Sequence, residues 1–228
     1  MSDQTQAVQL YLMTPAGVAA GTLDALLTAA LGVGKVACVL LDKAACDGDA
    51  AALTATVQLI QKHDAAALLP AQDAAMRAGA DGVHLNHPGE NAEAEIAAAI
   101  KRAKGVGIVG AGALQTRHQA MDMGERDVDY VMFGEPDSDI DNDDDLSDDL
   151  DDDLPSVEAV LARVAWWAEI FTVPCVVYAR ALDDIPALVA AGADFIALRE
   201  AVWNDPRGVP AAMTQALEAV RRKRVEVA

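Results

Sequence analysis

The chain has 228 residues, of which 53% are hydrophobic and only 4% aromatic, and its formal net charge is −19. That length suits one closed α/β domain, since such barrels run as single units at about 200–250 residues. A chain this acidic repels nucleic acid and anionic membranes, and no stretch reaches the roughly 18 uninterrupted apolar residues of a membrane span.

From the N-terminus, short apolar runs alternate with longer amphipathic ones. Residues 8–13 read as a strand and 21–31 as a helix. The run 36–41 is apolar throughout, which marks a strand buried on both faces, as in parallel sheets. Residues 50–63 read as a helix, with Leu53, Val57 and Ile60 at helical spacing. The pattern continues with a strand at 66–69 and a helix at 72–78, stopped by Gly79. Next come strand 82–85, helix 92–103, strand 106–109, helix 115–124 and strand 129–133.

An acidic run interrupts here. Residues 135–153 hold twelve acids and no base. Helix 156–171 resumes, with Ser156 after Pro155 as its cap. Strand 174–178, helix 185–191 with Gly192 as its stop, strand 195–198 and helix 209–223 complete the chain. Eight strand–helix pairs predict one parallel, eight-stranded (βα)8 TIM barrel over residues 1–228. Within it, residues 135–154 form an acidic, mobile loop inserted after strand six. An open doubly wound sheet is the other α/β option, but Thr14-Pro15-Ala16-Gly17 stands where its glycine fingerprint belongs.

Cys38, Cys46 and Cys175 are widely spaced and form no CxxC. Cys38 and Cys175 lie inside apolar runs and read as small buried hydrophobes. With reduced thiols and no basic leader segment, a cytoplasmic location is the expectation.

Several segments carry a family resemblance. Leu10-Tyr11-Leu12-Met13-Thr14, Ala78-Gly79-Ala80-Asp81-Gly82-Val83-His84-Leu85, Val128-Asp129-Tyr130-Val131 with Gly134, Val173-Pro174, and Ala191-Gly192-Ala193-Asp194 occur in order. Together they resemble the thiamine-phosphate synthases and their thiazole-tautomerase relatives, over nearly the whole chain. The resemblance implies a barrel that handles thiamine precursors. It also implies a synthase that joins a pyrimidine pyrophosphate to a thiazole phosphate with Mg²⁺.

The family's working positions are largely changed here. Its Gln-x-Arg-x-Lys pattern falls on Val39, Leu41 and Lys43, so only the lysine is kept. Where an Asn-Asp pair should follow strand three, Leu69-Pro70-Ala71-Gln72 stands, with Asp73 displaced towards the helix. After strand four, Asn86-His87-Pro88-Gly89-Glu90 replaces Gly-Gln and a metal-binding Asp. The synthase Ser falls on Gly112 and the tautomerase His on Leu114, with His118 further along. The glycine and serine phosphate cup reads Ala179-Arg180 and Arg199-Glu200.

The candidate site residues follow from these positions. Arg180 and Arg199 either grip phosphate or carboxylate in place of the lost backbone cradle, or pair with Glu200, Asp183 or Asp184. Lys43, beside Asp42, binds an anion or carbonyl, or forms a solvated rim pair. His84 is expected to face the barrel interior as a hydrogen-bonded histidine, and His87 is the better placed acid–base group. Glu90 and Asp73 are the candidate metal-binding carboxylates. The spacing Asp137-x-Asp139-x-Asp141 lacks the glycine and glutamate of a calcium loop. The acidic loop reads as a solvated lid, an attractor of cations or a docking site for a basic partner. Of Trp166 and Trp167, one faces the core, and the outward one either packs against neighbouring helices or offers a homodimer contact. Two readings stay open: a divergent enzyme acting on a small phosphorylated or anionic heterocycle, and a non-catalytic barrel binding a small anionic ligand or a protein partner.

Overall fold

The computed structural model describes residues 7–70, 72–86, 93–105, 107–114, 116–135 and 156–221. His87, Glu90 and the acidic run beyond Glu135 lie outside them. Eight parallel strands close in sequence order into a barrel. They are β1 (Gln9–Met13), β2 (Cys38–Leu40), β3 (Ala66–Leu69), β4 (Gly82–Asn86), β5 (Ile108–Gly112), β6 (Tyr130–Phe133), β7 (Cys175–Tyr178) and β8 (Phe195–Leu198). The seam joins β1 to β8 in parallel, with Tyr11 opposite Ala197.

The outer helices are α1 (Ala20–Leu31), α3 (Ala50–Lys62), α4 (Gln72–Ala78), α5 (Glu93–Ala103), α6 (Arg117–Glu125), α7 (Val157–Ile170), α8 (Ile185–Ala191) and α10 (Val209–Arg221). Two short helices were not expected from the sequence: α2 (Lys43–Cys46), directly after β2, and α9 (Glu200–Trp203), directly after β8. A single helical turn carries too few residues for an amphipathic period to show. Both sit at the C-terminal ends of strands and shape the mouth. Ser156 caps α7, accepting from the Ala159 N–H, and Gly79 and Gly192 adopt the positive φ that ends helices.

Strand alternation sorts the apolar residues into two cores. Leu10, Leu12, Val39, Leu41, Ala67, Leu69 and Val83 point outward onto the helices, while Tyr11, Cys38, Leu40, Leu68, Tyr130, Met132, Val176 and Tyr178 fill the interior. Full burial of each aliphatic side chain is worth ~1.5–3 kcal/mol. The tryptophan expectation resolves clearly. Trp167 is buried and its indole N–H donates to the Val173 carbonyl, whereas Trp166 lies half-buried beneath the Arg117 guanidinium.

A staple repeats at the N-terminal ends of the strands. Asp81 accepts the Ala67 N–H at 2.8 Å, Asp129 accepts the Val109 N–H at 2.8 Å, and Asp194 accepts the Cys175 N–H at 2.9 Å. Each aspartate precedes an even strand and pins the first turns of the odd strand before it. The repeated Ala-Gly-Ala-Asp segment therefore combines a helix stop with a side-chain tie between neighbouring strands.

The fifth strand departs from expectation. Read from sequence as 106–109, it extends through Gly110-Ala111-Gly112. These glycines are not breakers. A Cβ on Gly110 would lie inside the Tyr130 ring, and one on Gly112 would collide with His84 Nε2 and the Glu135 carboxylate. Glycine in a strand marks such a close approach.

Candidate functional site

The mouth, at the C-terminal ends of the strands, opens into a cavity of about 310 Å³. One side is formed by the ends of β1 and β2. Thr14 is buried and its hydroxyl accepts the Asp42 N–H at 2.8 Å. Asp42 in turn caps α2 through Ala44 and accepts the Gly17 N–H. This lacing sets Lys43, the first residue of α2, on the cavity rim. Met13, Leu40 and Pro70 supply apolar wall, and Arg199 closes the side beyond β8.

The opposite wall is a polar chain running into the barrel. His84 is 4% exposed, and its Nδ1 meets the Tyr130 hydroxyl at 2.8 Å. That hydroxyl meets the Tyr11 hydroxyl at 2.9 Å, deep in the interior. At the other end, His84 Nε2 lies 3.7 Å from the Glu135 carboxylate, whose side chain is 10% exposed. Glu135 also accepts the backbone N–H of Ala113, a residue held at φ +55°. A non-glycine residue in that conformation costs about 1–2 kcal/mol, and such strain concentrates at working sites. Burial, the largest cause, holds the Tyr11 and Tyr130 phenols well above their ordinary value of 10.0. Both therefore remain donors at any ordinary pH. The Glu135 carboxylate favours hydrogen on the facing Nε2, so Nδ1 accepts and the chain runs Tyr11 to Tyr130 to His84 to Glu135.

On the far rim, Arg199 donates through Nε to Glu200, which also receives the Tyr178 hydroxyl. Burial is the largest influence on Glu200 and acts to raise its pKa, but the Tyr178 hydroxyl and Arg199 outweigh it and hold the carboxyl below its ordinary value. The ion pair weighed from the sequence thus forms, yet it occupies only Nε, and the side chain still lines the cavity.

Several sequence expectations change here. Arg180 does not line this cavity; it lines a separate small groove with Gly134, Tyr178 and Asp184, so the two arginines are not joined in one cradle. The side chain beyond β7 lies with Asp184 and Leu188 of the α8 region instead, which the sequence order alone does not reveal. Of the positions 39, 41 and 43 on which the family pattern was laid, Val39 packs in the outer core, whereas Leu41 and Lys43 line the cavity beside Leu40 and Asp42. His118 is exposed on α6 and Leu114 is buried. Asp73 is exposed in the first turn of α4.

Among the described residues, which leave out the candidate carboxylate Glu90, the donor set does not fit a magnesium ion. Mg²⁺ requires carboxylate or other hard oxygen ligands in an octahedral shell. Among the described residues the cavity offers Asp42, already engaged as a helix cap, and Glu135, already engaged by Ala113 and His84. No group of three or more His, Cys, Asp or Glu able to hold a metal ion occurs among them.

Sequence reasoning missed Tyr11, Tyr130 and Glu135. Both tyrosines stood at inward parity within their strands. Glu135 looked like the first member of the acidic run, although it follows Gly134 directly at the end of β6. The signal for Tyr130 and Glu135 was the Gly-Ala-Gly of β5, which leaves the space they fill.

Comparison with known proteins bears on this geometry. A model of the thiamine monophosphate synthase family matches residues 10–140. The thiamine-phosphate synthase of Rhodospirillum centenum is 34% identical over 209 residues, covering 90% of this chain and 94% of that protein. The thiamine-phosphate synthase of Erythrobacter litoralis is 32% identical, covering 96% of this chain and all of the relative. Among solved structures, the thiamine phosphate pyrophosphorylase of Pyrococcus furiosus superposes with a TM-score of 0.68 at 19% identity, over 94% of this chain and 96% of that one. A 3-hexulose-6-phosphate synthase superposes with a TM-score of 0.65 at 17% identity, over 91% and 98%. At those identities the likeness is one of fold. No helix among the described residues is long and apolar enough to cross a membrane.

Proposed function

Because the chain belongs to the thiamine monophosphate synthase family, we propose that its mouth binds a small phosphorylated or anionic ligand related to thiamine precursors, without the metal-assisted displacement of pyrophosphate. The observation that carries this reading is the cavity itself. It sets two cations, Lys43 and Arg199, on its rim and lines the facing wall with His84, Asn86 and Glu135. Among the described residues Arg199 meets Glu200 through Nε, which leaves its terminal nitrogens for a bidentate grip. Glu135 would repel a second phosphate, which disfavours a pyrophosphate laid across the cavity.

The chemistry open to these residues is anion binding by Lys43 and Arg199, and hydrogen bonding or proton handling by His84 and Glu135 at the inner wall. The test is thermal. Inorganic phosphate should raise the melting temperature of the wild-type protein by several degrees, and a Lys43→Ala, Arg199→Gln double variant should lose most of that rise. An unchanged rise in the variant, or no rise in the wild type, overturns the reading.

A second reading is that the protein is itself a thiamine-phosphate synthase. The identity of 34% over 90% of the chain supports it. It requires the lost metal and pyrophosphate positions to be supplied by other groups.

A further inference from the structure

We infer that the outer face of α6 and α7 pairs with the same face of a second copy of this chain, the two copies lying antiparallel about a two-fold axis at the level of Met121 and Trp166. On α6, Arg117, Met121 and Glu125 fall four residues apart and share one exposed face. On α7, Trp166 and Ile170 have the same spacing, with Glu169 beside them. The two helices are tied side by side. The Arg117 guanidinium lies 4.9 Å from the Trp166 ring, and the lack of a side chain at Gly124 admits the Trp167 ring. Among the described residues four large hydrophobic side chains are exposed, and two of them, Met121 at 38% and Ile170 at 59%, stand on this face. Each is one helical turn from a member of the Arg117–Trp166 stack. Tryptophan, methionine and arginine gathered in this way mark a contact between proteins.

The charges select the occupant. Arg117 opens α6 and Glu125 closes it, and that helix has no acid in its first turn and no base in its last. This order is the reverse of what a helix dipole favours. On α7, Arg163, which donates to the Leu114 carbonyl, precedes Trp166, and Glu169 follows it. The two arginines crowd one another: burial first, and then Arg117, hold the Arg163 guanidinium below its ordinary value. Both helices therefore run from base through a large apolar residue to acid. A second copy laid antiparallel brings Arg117 to the partner's Glu125 and Arg163 towards the partner's Glu169, while Met121 and Trp166 meet their own counterparts. Such self-complementarity is what an isologous two-fold contact requires. It also opposes the dipoles of the two α6 helices and puts an acid beside each mismatched base. A partner of one charge sign would match only half of the face.

Sedimentation velocity of the whole chain, from about 1 μM to 100 μM, tests this. The wild type should form a two-copy species. Arg117→Glu sets acid against acid and should weaken that species about tenfold or more. Arg117→Glu combined with Glu125→Arg restores the complementarity and should bring the affinity back to within about threefold of the wild type. Both positions are exposed, so neither change disturbs the core. Under mild oxidation Met121→Cys should cross-link to its own counterpart, and the wild type, with the same native cysteines, should not. A wild type that stays monomeric overturns the inference. So does a dimer that Arg117→Glu leaves unchanged, that the double exchange fails to restore, or that Met121→Cys does not cross-link, since each places the contact on another face. The wild-type and cross-linking results decide the matter even where a charge variant does not fold.

Discussion

The two ends of the barrel put carboxylates to opposite uses. At the N-terminal end, Asp81, Asp129 and Asp194 each satisfy a backbone N–H of the neighbouring strand at 2.8–2.9 Å, and their charge serves the frame. At the mouth, Glu135 stands against His84 on a cavity wall. The first kind of carboxylate belongs to segments that resemble the family closely. The second sits at the mouth, two residues beyond β6. A barrel can change its mouth this freely because the loops after the strands carry little of the fold's stability, while the strand starts are tied together.

The largest effect should come from cutting the ties. A double variant Asp81→Ala, Asp194→Ala leaves the buried Ala67 and Cys175 N–H groups unpaired, at about 1–3 kcal/mol each. The sites share no partner, so the losses should add to about 2–6 kcal/mol in urea unfolding. A loss under about 1 kcal/mol would remove the staple from this account.

At the inner wall a smaller loss is expected. Tyr130→Phe keeps the ring against Gly110 but deletes the hydroxyl that joins Tyr11 to His84. Unfolding should show a loss of about 1–3 kcal/mol, and nuclear magnetic resonance of the imidazole should show a changed tautomer balance. An unaltered imidazole would break the assigned polarity of the chain.

How legible this was depended on what each residue's neighbours required. The barrel could be read because each strand repeats one apolar period and each Ala-Gly-Ala-Asp segment ends one element and starts the next. The mouth could be read only in part. Lys43 and Arg199 reach the cavity as expected from their positions after β2 and β8. Arg180, equally well placed in sequence, turns into another groove. Direction at a strand end depends on local backbone geometry, which no periodicity encodes. Glu135 was hidden for a different reason: it stood among twelve acids, and only the empty inner face of β5 distinguishes it.

A pH series separates the interior from the rim. Burial, the largest cause, raises the Cys175 thiol from 9.0 to about 12 and the Cys46 thiol to about 11, and it lifts the Tyr11 and Tyr130 phenols above 10.0. The fold holds these protons more tightly than the unfolded chain does. Their contribution to stability is therefore complete below about pH 9 and is lost progressively as pH rises beyond it. The melting temperature should accordingly stay level up to that point and then decline, with a shallower decline in Tyr130→Phe. A decline of equal slope in that variant would mean that the tyrosine pair takes no part.

The smallest effect lies on the outside. Arg117→Ala removes a guanidinium 4.9 Å above the Trp166 ring and should cost less than about 1 kcal/mol. A greater loss would show that the outer helices carry stability here credited to the strand starts.

The central claim, a retained frame with a rebuilt mouth, is met most directly by one assay. Purified protein at a concentration matching the substrates is given Mg²⁺, the pyrimidine pyrophosphate and the thiazole phosphate, and thiamine phosphate is measured. The account predicts no product above the protein-free control. Repeated turnover to thiamine phosphate would contradict it and would show that the altered mouth still performs the family's reaction.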